Sequence, residues 1–251
     1  MKLVIATPTV KRPHDAYLKA LEDCIPALDA LGIEHYAVNE IGSAYISAAR
    51  ATMCRKAMDA KADHVLFIDH DVSWTPESIV KLIDTPGDVV CGTYRYKQEE
   101  ERYMGYFYQI EGVPCARWPD NVIEAERMPA GFLRVSKEAI DLFMKTHPNL
   151  CFGPQYARAV DLFNHGADGT EWWGEDYMFS RNWRATGNPM WVVPDLDIAH
   201  HDGDKTYPGN LQKFILKNRP IPQTFQKDSN PMSSSALPPT QEMSVQNTAL
   251  P

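Results

Sequence analysis

The 251-residue sequence lacks the features that would place it in a membrane, in an oxidising compartment or along a nucleic-acid backbone. No window approaches the roughly 18 continuous apolar residues of a membrane span. The first apolar run, Leu3–Ala6, is too short for a signal peptide. The five cysteines are scattered without a C-x-x-C pair, which disfavours a zinc site or a disulfide framework. Acidic residues outnumber basic ones, 33 to 25, so nucleic acid is a disfavoured but not excluded partner. We therefore expect a cytoplasmic protein with no transmembrane segment.

Internal repeats are absent as well, which argues against a solenoid or a propeller. What the sequence does contain is a regular alternation of apolar runs and helical stripes. In chain order these are a strand at Leu3–Ala6, a helix with its stripe from Leu18 to Leu31 and a kink or restart at Pro26, a strand at 34–39, a helix at 46–60 and a strand at Val65–Ile68. The last strand is apolar on both faces, as in the middle of a covered parallel sheet. This order predicts an α/β fold with an open sheet.

The second half of the chain is less regular. Here we predict a helix capped by Thr75 and Pro76, a strand at Val89–Cys91, a mobile loop and a hairpin between 94 and 118 with its turn at 111–112, a helix capped by Ser136, an irregular region from 148 to 174, a helix over 175–186 and a strand at Trp191–Val193. Residues 221–251 are rich in proline and polar residues and should be disordered. We therefore expect one domain over residues 1–220, followed by a tail.

Asp69 and Asp71 directly follow the buried strand, where ligands of open α/β sheets bind. In an extended chain their side chains would share one side, with His70 turned away. Two carboxylates suit Mn²⁺ or Mg²⁺. Chance alone supplies about one or two Asp-x-Asp pairs in a chain with this many aspartates. The sequence contains three, and only this one follows a fully apolar strand and precedes a capped helix.

Two further motifs carry groups of chemical interest. Glu175 and Asp176 begin a helix after Trp172 and Trp173, whose aromatic faces suit sugar rings. Acidic residues are also common in a first helical turn because they complement the helix dipole. His200-His201 follows a C-terminal strand, and a neutral imidazole there can complete a metal site or simply lie in an exposed loop.

The ordered set of segments is more specific than any one of them. In chain order it comprises Leu3–Thr9, Ser47–Arg50, Val65–Asp71, Val89–Tyr94, Pro129–Phe132, Gly174–Arg181 and His201–Gly203, covering nearly all of residues 1 to about 210. This order resembles the GT-A glycosyltransferases, especially small family 2-like phage and bacterial members. The resemblance implies a Rossmann-like, mixed, mostly parallel open sheet flanked by helices. It also implies metal-dependent transfer of a sugar from a nucleotide-diphosphate donor, by default a UDP-sugar, to a hydroxyl acceptor.

The resemblance assigns roles to individual residues. The donor side would be formed by Thr7, Pro8, Thr9, Arg50, Asp69 and His70. The Mn²⁺ or Mg²⁺ ion would be held by Asp69, Asp71 and His201, with His200 as the second choice. The general base of an inverting transfer would be Asp176 or, failing that, Glu175. The acceptor side would be lined by Gly131, Phe132, Trp172 and Trp173.

Several alternatives stay open at this point. The acceptor could be a saccharide, a lipid-linked saccharide, a protein or a modified nucleobase, and a retaining outcome would remove the base role of Asp176. Arg50 could instead be an exposed helix arginine paired with a carboxylate. A nucleotidyltransferase is disfavoured because Thr7-Pro8-Thr9 contains no glycine. The main rival is a non-catalytic saccharide-binding or interaction protein on a degenerate GT-A scaffold.

Overall fold

The computed structural model describes residues 1–110, 113–114 and 121–218. The helices are α1 (Asp15–Ala30), α2 (Ile46–Asp59), α3 (Pro76–Asp84), α4 (Lys137–Thr146), α5 (Glu175–Arg184) and α6 (Leu211–Asn218), with 3₁₀ turns at Pro148–Leu150 and Gln155–Ala157. The expected tail, residues 221–251, and the expected turn at 111–112 lie outside the described residues.

Seventeen strands complete the described chain. They are β1 (Lys2–Thr9), β2 (Glu34–Ile41), β3 (His64–Ile68), β4 (Val72–Trp74), β5 (Val89–Gly92), β6 (Tyr106–Phe107), β7 (Gln109–Ile110), β8 (Val113–Pro114), β9 (Ile123–Arg127), β10 (Phe132–Ser136), β11 (Cys151–Phe152), β12 (Ala159–Val160), β13 (Gly166–Asp168), β14 (Glu171–Trp173), β15 (Trp191–Val193), β16 (Ile198–Asp202) and β17 (Lys205–Gly209).

The central sheet has eight strands in the order β2-β1-β3-β10-β5-β15-β9-β6. The β1–β2, β1–β3 and β5–β15 pairs are parallel, whereas β10 is antiparallel to both its neighbours and β9 is antiparallel to β15 and β6. Six strands therefore run one way, and only β10 and β9 run the other. The predicted α/β class, with a mixed, mostly parallel open sheet flanked by helices, is confirmed.

Side-chain alternation divides the core between the two faces of this sheet. In β1, Leu3 and Ile5 pack with helices α1 and α3, whereas Val4 and Ala6 pack with helices α2, α4 and α5. Strand β3 alternates in the same way, and its residues 65–68 are at most 2% exposed. Because both faces are covered by helices, the two strands read as continuous apolar runs rather than as alternating ones.

Helix α1 differs from the predicted stripe. The face packed on the sheet is formed by Tyr17, Ala20, Cys24 and Leu28. Ile25 and Leu31, both expected inside, are 39% and 49% exposed. The helix also continues through Pro26 without a restart. Tyr17 fixes the helix rotation, because its hydroxyl lies 2.5 Å from the Thr7 hydroxyl of β1 in the buried interface.

Strand β10 was not predicted, although it lies between β3 and β5 in the middle of the sheet. Its sequence interrupts the apolar pattern with Arg134, which hides the strand from a periodicity argument. Arg134 is 4% exposed, and its guanidinium donates hydrogen bonds to the carbonyls of Thr85 and Gly87, which offset part of the cost of burying the charge; burial still lowers the pKa of Arg134.

The segment after β5 forms a closed loop, residues 95–103, which we call the Lys97 loop. Arg95 pairs with Tyr103 in an isolated bridge, and the Arg95 side chain donates to the carbonyls of Gln98 and Glu99. The mobile loop expected here is thus held by its own hydrogen bonds. The expected hairpin is present as the antiparallel pair β7–β8.

A second, three-stranded sheet has the order β17-β16-β4. Strand β16 is antiparallel to β4, which follows Asp71 directly, and the His201 amide donates to the Asp71 carbonyl at 2.8 Å. This sheet therefore brings the histidine pair to the end of β3. Among the helices that the structure describes, none is long and apolar enough to cross a membrane.

Candidate active site

The site begins where β3 ends. Residues 69–71 form a turn, because the Val72 amide donates to the Asp69 carbonyl at 3.1 Å before β4 begins. The extended geometry assumed for Asp69-His70-Asp71 is therefore wrong, and strand alternation does not apply to it. The Asp69 side chain points to Arg50, whereas Asp71 points to Lys97 and His200.

Arg50 is the centre of one half of the site. Its side chain is 1% exposed and donates to Asp69 Oδ1 at 2.8 Å and to Glu175 Oε1 at 3.1 Å. The guanidinium carbon also lies 4.9 Å from the centre of the Phe163 ring. Burial acts to lower the pKa of Arg50, but Asp69 and Glu175 outweigh it and the pKa is raised. A permanently charged, buried arginine thus links the end of β3 to the start of α5.

Asp176 lies beside this ion-pair network in the first turn of α5. Burial, followed by the neighbouring Glu175 charge, raises the pKa of Asp176 to about 6, although Arg50 opposes the shift. Its Oδ1 accepts a hydrogen bond from the Tyr177 amide at 2.8 Å. A carboxylate with a pKa near neutrality is suited to accept a proton during a reaction.

Tyr94 and Gly131 hold Asp69 from the other side. The Asp69 amide donates to the Gly131 carbonyl at 3.1 Å, which extends the β3–β10 ladder by one residue. The buried Tyr94 hydroxyl lies 3.5 Å from Asp69 Oδ2. A Cβ atom on Gly131 would come within 2.1 Å of the Tyr94 hydroxyl and 2.5 Å of Asp69 Oδ2. Gly131 was predicted on the acceptor side. In the structure a residue without a side chain is needed here because Asp69 and Tyr94 lie too close for a Cβ atom.

Asp71 is the centre of the other half of the site. Its Oδ2 lies 2.6 Å from Lys97 Nζ and 3.7 Å from His200 Nε2. The other ring nitrogen of His200, Nδ1, lies 2.8 Å from the Arg95 carbonyl oxygen. Because a carbonyl only accepts hydrogen bonds, this contact assigns the proton of a neutral His200 ring to Nδ1. The Nε2 lone pair then faces Asp71 and is available to a cation.

His201, the first choice for the metal histidine, is placed differently. Its Nε2 lies 2.8 Å from the Ser73 hydroxyl, its Nδ1 lies 3.1 Å from the Thr206 hydroxyl, and its ring stacks on His14 with centroids 4.5 Å apart. Adjacent residues of β16 point to opposite faces, yet His201 and Asp71 line the same cleft, so both histidines lie near this carboxylate. The assignment of the metal histidine stays a prediction, and we favour His200, whose Nε2 lies 3.7 Å from Asp71 Oδ2, over His201, whose two ring nitrogens both lie within hydrogen-bond distance of hydroxyl groups.

The donor set at Asp71 fits a divalent cation. Among the described residues no three His, Cys, Asp or Glu side chains form a ready-made metal cluster. Mg²⁺ is nonetheless usually held by one or two carboxylates together with substrate phosphates rather than by a complete protein cage. Asp71 already binds a positively charged group, the Lys97 ammonium, and His200 Nε2 lies 3.7 Å from the same carboxylate oxygen. These residues therefore fit a cation bound beside Asp71.

Two clefts flank His70 at the carboxyl ends of β1 and β2. The first has a volume of about 130 Å³, and its walls include Pro8, Thr9, Glu40, Ser43 and His70. The second has a volume of about 310 Å³, and its walls include Lys11, Arg12, His70, Asp71, Lys97 and His201. Pro8, Thr9 and His70 are thus where donor residues were expected, and Glu40 is a wall residue that sequence reasoning missed.

Thr7 and Phe132 lie elsewhere. Thr7 is fully buried with its hydroxyl bound to Tyr17, and Phe132 is fully buried with its ring 5.7 Å from that of Trp74. Neither side chain can contact a ligand directly, so both are corrected to core residues.

The two tryptophans before α5 face different surroundings. Trp172 is 72% exposed on the β13–β14 hairpin. Two guanidinium groups lie over the Trp173 ring, those of Arg127 at 4.5 Å and Arg181 at 4.9 Å from the ring centre. Arg127, which sequence reasoning missed, also lies over Tyr177 at 5.8 Å. This stack forms an aromatic and basic wall next to Glu175 and Asp176.

No protein-family model matches the chain, and no curated protein sequence matches it. Among solved structures the chain is similar to S. aureus TarS in complex with UDP-GlcNAc, at 14% identity and a TM-score of 0.43, over 85% of this chain and 61% of that one. It is also similar to a Drosophila β-1,4-galactosyltransferase 7 mutant in complex with manganese, UDP-Gal and xylobiose, at 11% identity and a TM-score of 0.42, over 91% of this chain and 82% of that one. A third similar structure is GalNAc-T7 with UDP, GalNAc and Mn²⁺, at 12% identity and a TM-score of 0.41, over 79% of this chain and 43% of that one.

Proposed function

We propose that this chain is a GT-A-type glycosyltransferase that transfers a sugar from a nucleotide-diphosphate donor to a hydroxyl acceptor, using Mn²⁺ or Mg²⁺. The observation that carries the proposal is the fully buried Arg50, which joins Asp69 to Glu175. The bridge supports the proposal because it links the turn after β3, where the cation would bind, to the first turn of α5, where Asp176 would accept a proton.

The donor would lie along the two clefts that meet at His70. The smaller cleft, with Pro8, Thr9 and Glu40 in its walls, suits a nucleoside. The larger cleft carries Lys11, Arg12 and Lys97, whose positive charges suit a diphosphate. This arrangement follows the rule that ligands of open α/β sheets bind at the carboxyl ends of the strands. A UDP-sugar is our default donor.

Asp71 and His200 would hold the divalent cation, with Asp69 near them at the same turn. When bound, the cation would stabilise the negative charge that develops on the departing diphosphate. The chain prepares these ligands itself, since the Arg95 carbonyl orients the His200 ring and so presents Nε2. A backbone carbonyl on the second ring nitrogen is the usual support for a metal-binding histidine.

Asp176 would act as the general base in an inverting transfer. With a pKa of about 6 it is ionised at neutral pH, yet basic enough to take the proton of the acceptor hydroxyl. Such a base contributes about 10²- to 10⁴-fold to the rate. The exposed Trp172 and the Trp173 stack would receive a saccharide acceptor beside it. Glu175, bound to Arg50, is the less suitable base because its charge is already paired.

The test is a thermal-shift screen of UDP-, GDP- and other nucleotide sugars with and without Mn²⁺. A ligand at 100 times its dissociation constant stabilises a protein by about 2.7 kcal/mol, which for a domain of this size raises Tm by about 5–11 °C. We expect such a shift for one donor class, only with Mn²⁺, and its loss in Asp71→Asn.

Asp197→Asn is the matched control, because Asp195-Leu196-Asp197 is another Asp-x-Asp pair whose Asp197 binds Lys213 away from the site. This variant should shift like the wild type. A metal-dependent shift without any sugar transfer would favour the non-catalytic saccharide-binding alternative. If no donor changes the melting temperature with or without Mn²⁺, the proposed function is wrong.

A further inference from the structure

The Lys97 ammonium occupies the position at Asp71 that a divalent cation would need. Its Nζ lies 2.6 Å from Asp71 Oδ2, while His200 Nε2 lies 3.7 Å from the same oxygen. Mg²⁺ binds carboxylate oxygens at about 2.0–2.1 Å. The ammonium and a metal ion at this oxygen carry like charges a few ångströms apart, so each disfavours the binding of the other.

The position of Lys97 is set by the fold rather than by a free surface chain. The Lys97 loop is closed by the Arg95–Tyr103 bridge and by the hydrogen bonds of the Arg95 side chain. It is also anchored outside itself, since the Tyr103 hydroxyl accepts from the Asn210 amide at 2.7 Å. The Lys97 side chain is 31% exposed, so its flexible stem can turn away while the loop stays in place.

His200 couples this loop to the cation position. Its Nδ1–H donates to the Arg95 carbonyl at the base of the loop, so a neutral ring directs its Nε2 lone pair towards Asp71. A lone pair facing a carboxylate oxygen is favourable only if a positive charge lies nearby. In the structure Lys97 supplies positive charge at the same Asp71 oxygen. The same two ligands would serve a metal ion once Lys97 leaves.

We propose that Lys97 is a built-in counter-ion that holds the cation position of Asp71 and His200 until a divalent metal displaces it, and that it then binds the donor diphosphate. This inference rests on the proposed function, because it assumes a metal and a nucleotide diphosphate at this site. The larger cleft, which contains Lys97 together with Lys11 and Arg12, is where the released ammonium would meet phosphate oxygens. Lys97 would thus weaken the binding of the metal ion in the absence of nucleotide and strengthen the binding of the nucleotide once the metal ion is bound.

The experiment measures Mn²⁺ binding and UDP binding separately by titration calorimetry on the full chain. In Lys97→Met, Mn²⁺ alone should bind more tightly than in the wild type, by a factor of about 5 to 150, the usual range for coupled sites. UDP in saturating Mn²⁺ should bind more weakly in the same variant. Lys97→Arg, which keeps the charge, should restore UDP binding. If Lys97 only supported the fold, Lys97→Met would bind both Mn²⁺ and UDP more weakly than the wild type.

Lys81→Met is the matched control, because Lys81 forms an equally close pair with Asp195 outside the site, with Nζ and Oδ2 2.5 Å apart. It should leave both affinities unchanged. If Lys97→Met binds Mn²⁺ no more tightly than the wild type, while Asp71→Asn loses Mn²⁺ binding, the counter-ion role is refuted and the proposed metal site stands. If neither the wild type nor Lys97→Met binds Mn²⁺, or if Asp71→Asn binds it normally, both the counter-ion role and the metal site are refuted.

Discussion

At the scale of single residues, the candidate site depends on charges that have little access to water. Arg50 is almost completely buried and is compensated by two carboxylates, Asp69 and Glu175. Its Nε atom has no hydrogen-bond partner, so the two ion pairs and the Phe163 ring carry the whole compensation. Removing one member of such a network leaves the others buried and unpaired.

Arg50→Met should therefore destabilise the protein strongly. The variant keeps an apolar stem but leaves Asp69 and Glu175 without their counter-ion. We expect a loss of about 3–5 kcal/mol in the free energy of unfolding, measured by urea denaturation. Arg55→Met is the control, since the Arg55–Asp59 pair on the same helix is exposed to solvent and its loss should change the free energy of unfolding far less. Equal losses in the two variants would contradict the structural role of Arg50.

The raised pKa of Asp176 predicts how the reaction rate depends on pH. A general base works only when ionised, so kcat/KM should be half-maximal near pH 6, level off about one unit above it and fall tenfold per unit well below it. Asp176→Asn should lower kcat by about 10²- to 10⁴-fold. Asp161→Asn is the control, because burial also raises the pKa of Asp161 but the residue lies outside the proposed site. An unchanged rate in Asp176→Asn would exclude it as the base.

The same pKa shift has a consequence for stability, with a definite sign. The folded-state pKa of Asp176, about 6, lies above the ordinary value of 3.8, so the folded state binds the proton more tightly than the unfolded state. The contribution of Asp176 to stability is therefore greatest below pH 4 and is lost as the pH rises through about 6. Asp176→Asn should accordingly melt at a higher temperature than the wild type at pH 8, and the difference should shrink at pH 5. A lower melting temperature at pH 8 would contradict this.

At the scale of elements, the site is assembled by the antiparallel strand β10 and the loop before it. Residues 128–131 return the chain to β3, and the Gly131 carbonyl receives the Asp69 amide. Strands β4 and β16 then bring His200 to Asp71. Each contact joins segments far apart in sequence, so the site geometry depends on sheet register.

Gly131→Ala tests this arrangement. Its Cβ would lie 2.5 Å from Asp69 Oδ2 and 2.1 Å from the Tyr94 hydroxyl, so the Asp69 side chain must shift. We expect a folded protein with a cost of about 1–3 kcal/mol, as for other overpacked sites, and with weaker Mn²⁺-dependent activity. Gly32→Ala adds the same methyl group in open space at a positive φ. If Gly131→Ala retains full activity, the tight contact with Asp69 is not needed for function.

The elements with strong local sequence signals were predicted from the sequence. Those whose conformation depends on contacts with distant segments were not. Residues 65–68 of β3 form an apolar run, and Thr75-Pro76 begins α3 with the expected side-chain cap. Strand β10 was missed because Arg134 breaks its pattern, and its charge is satisfied only by carbonyls from another segment. The choice between His200 and His201 depends on the register of β16 with β4, which no local pattern encodes.

At the scale of the whole molecule, the sheet separates two helical layers, and the candidate site lies at the carboxyl ends of β1 and β3. Asp69 and Asp71 were located correctly at this edge by the sequence because a buried parallel strand ends there. Thr7 and Phe132 were placed in the site by resemblance, but both face the core. The position of a residue in the sequence predicts at which edge of the sheet it lies. Whether its side chain faces the site or the core depends on tertiary packing.

The division into residues 1–220 and 221–251 remains a prediction, and it has a thermodynamic test. The last described helix, α6, buries only Leu211 fully and packs Phe214 and Ile215 partly against the core. Because the polar, proline-rich stretch after it contributes little apolar surface, a chain ending at residue 220 should unfold with the same midpoint and slope in urea as the full chain. A smaller slope would mean that residues 221–251 bury surface on folding, since the slope is proportional to the area exposed on unfolding. A chain ending at residue 209 supplies the contrast, because removing α6 uncovers Leu211 contacts and should lower the midpoint.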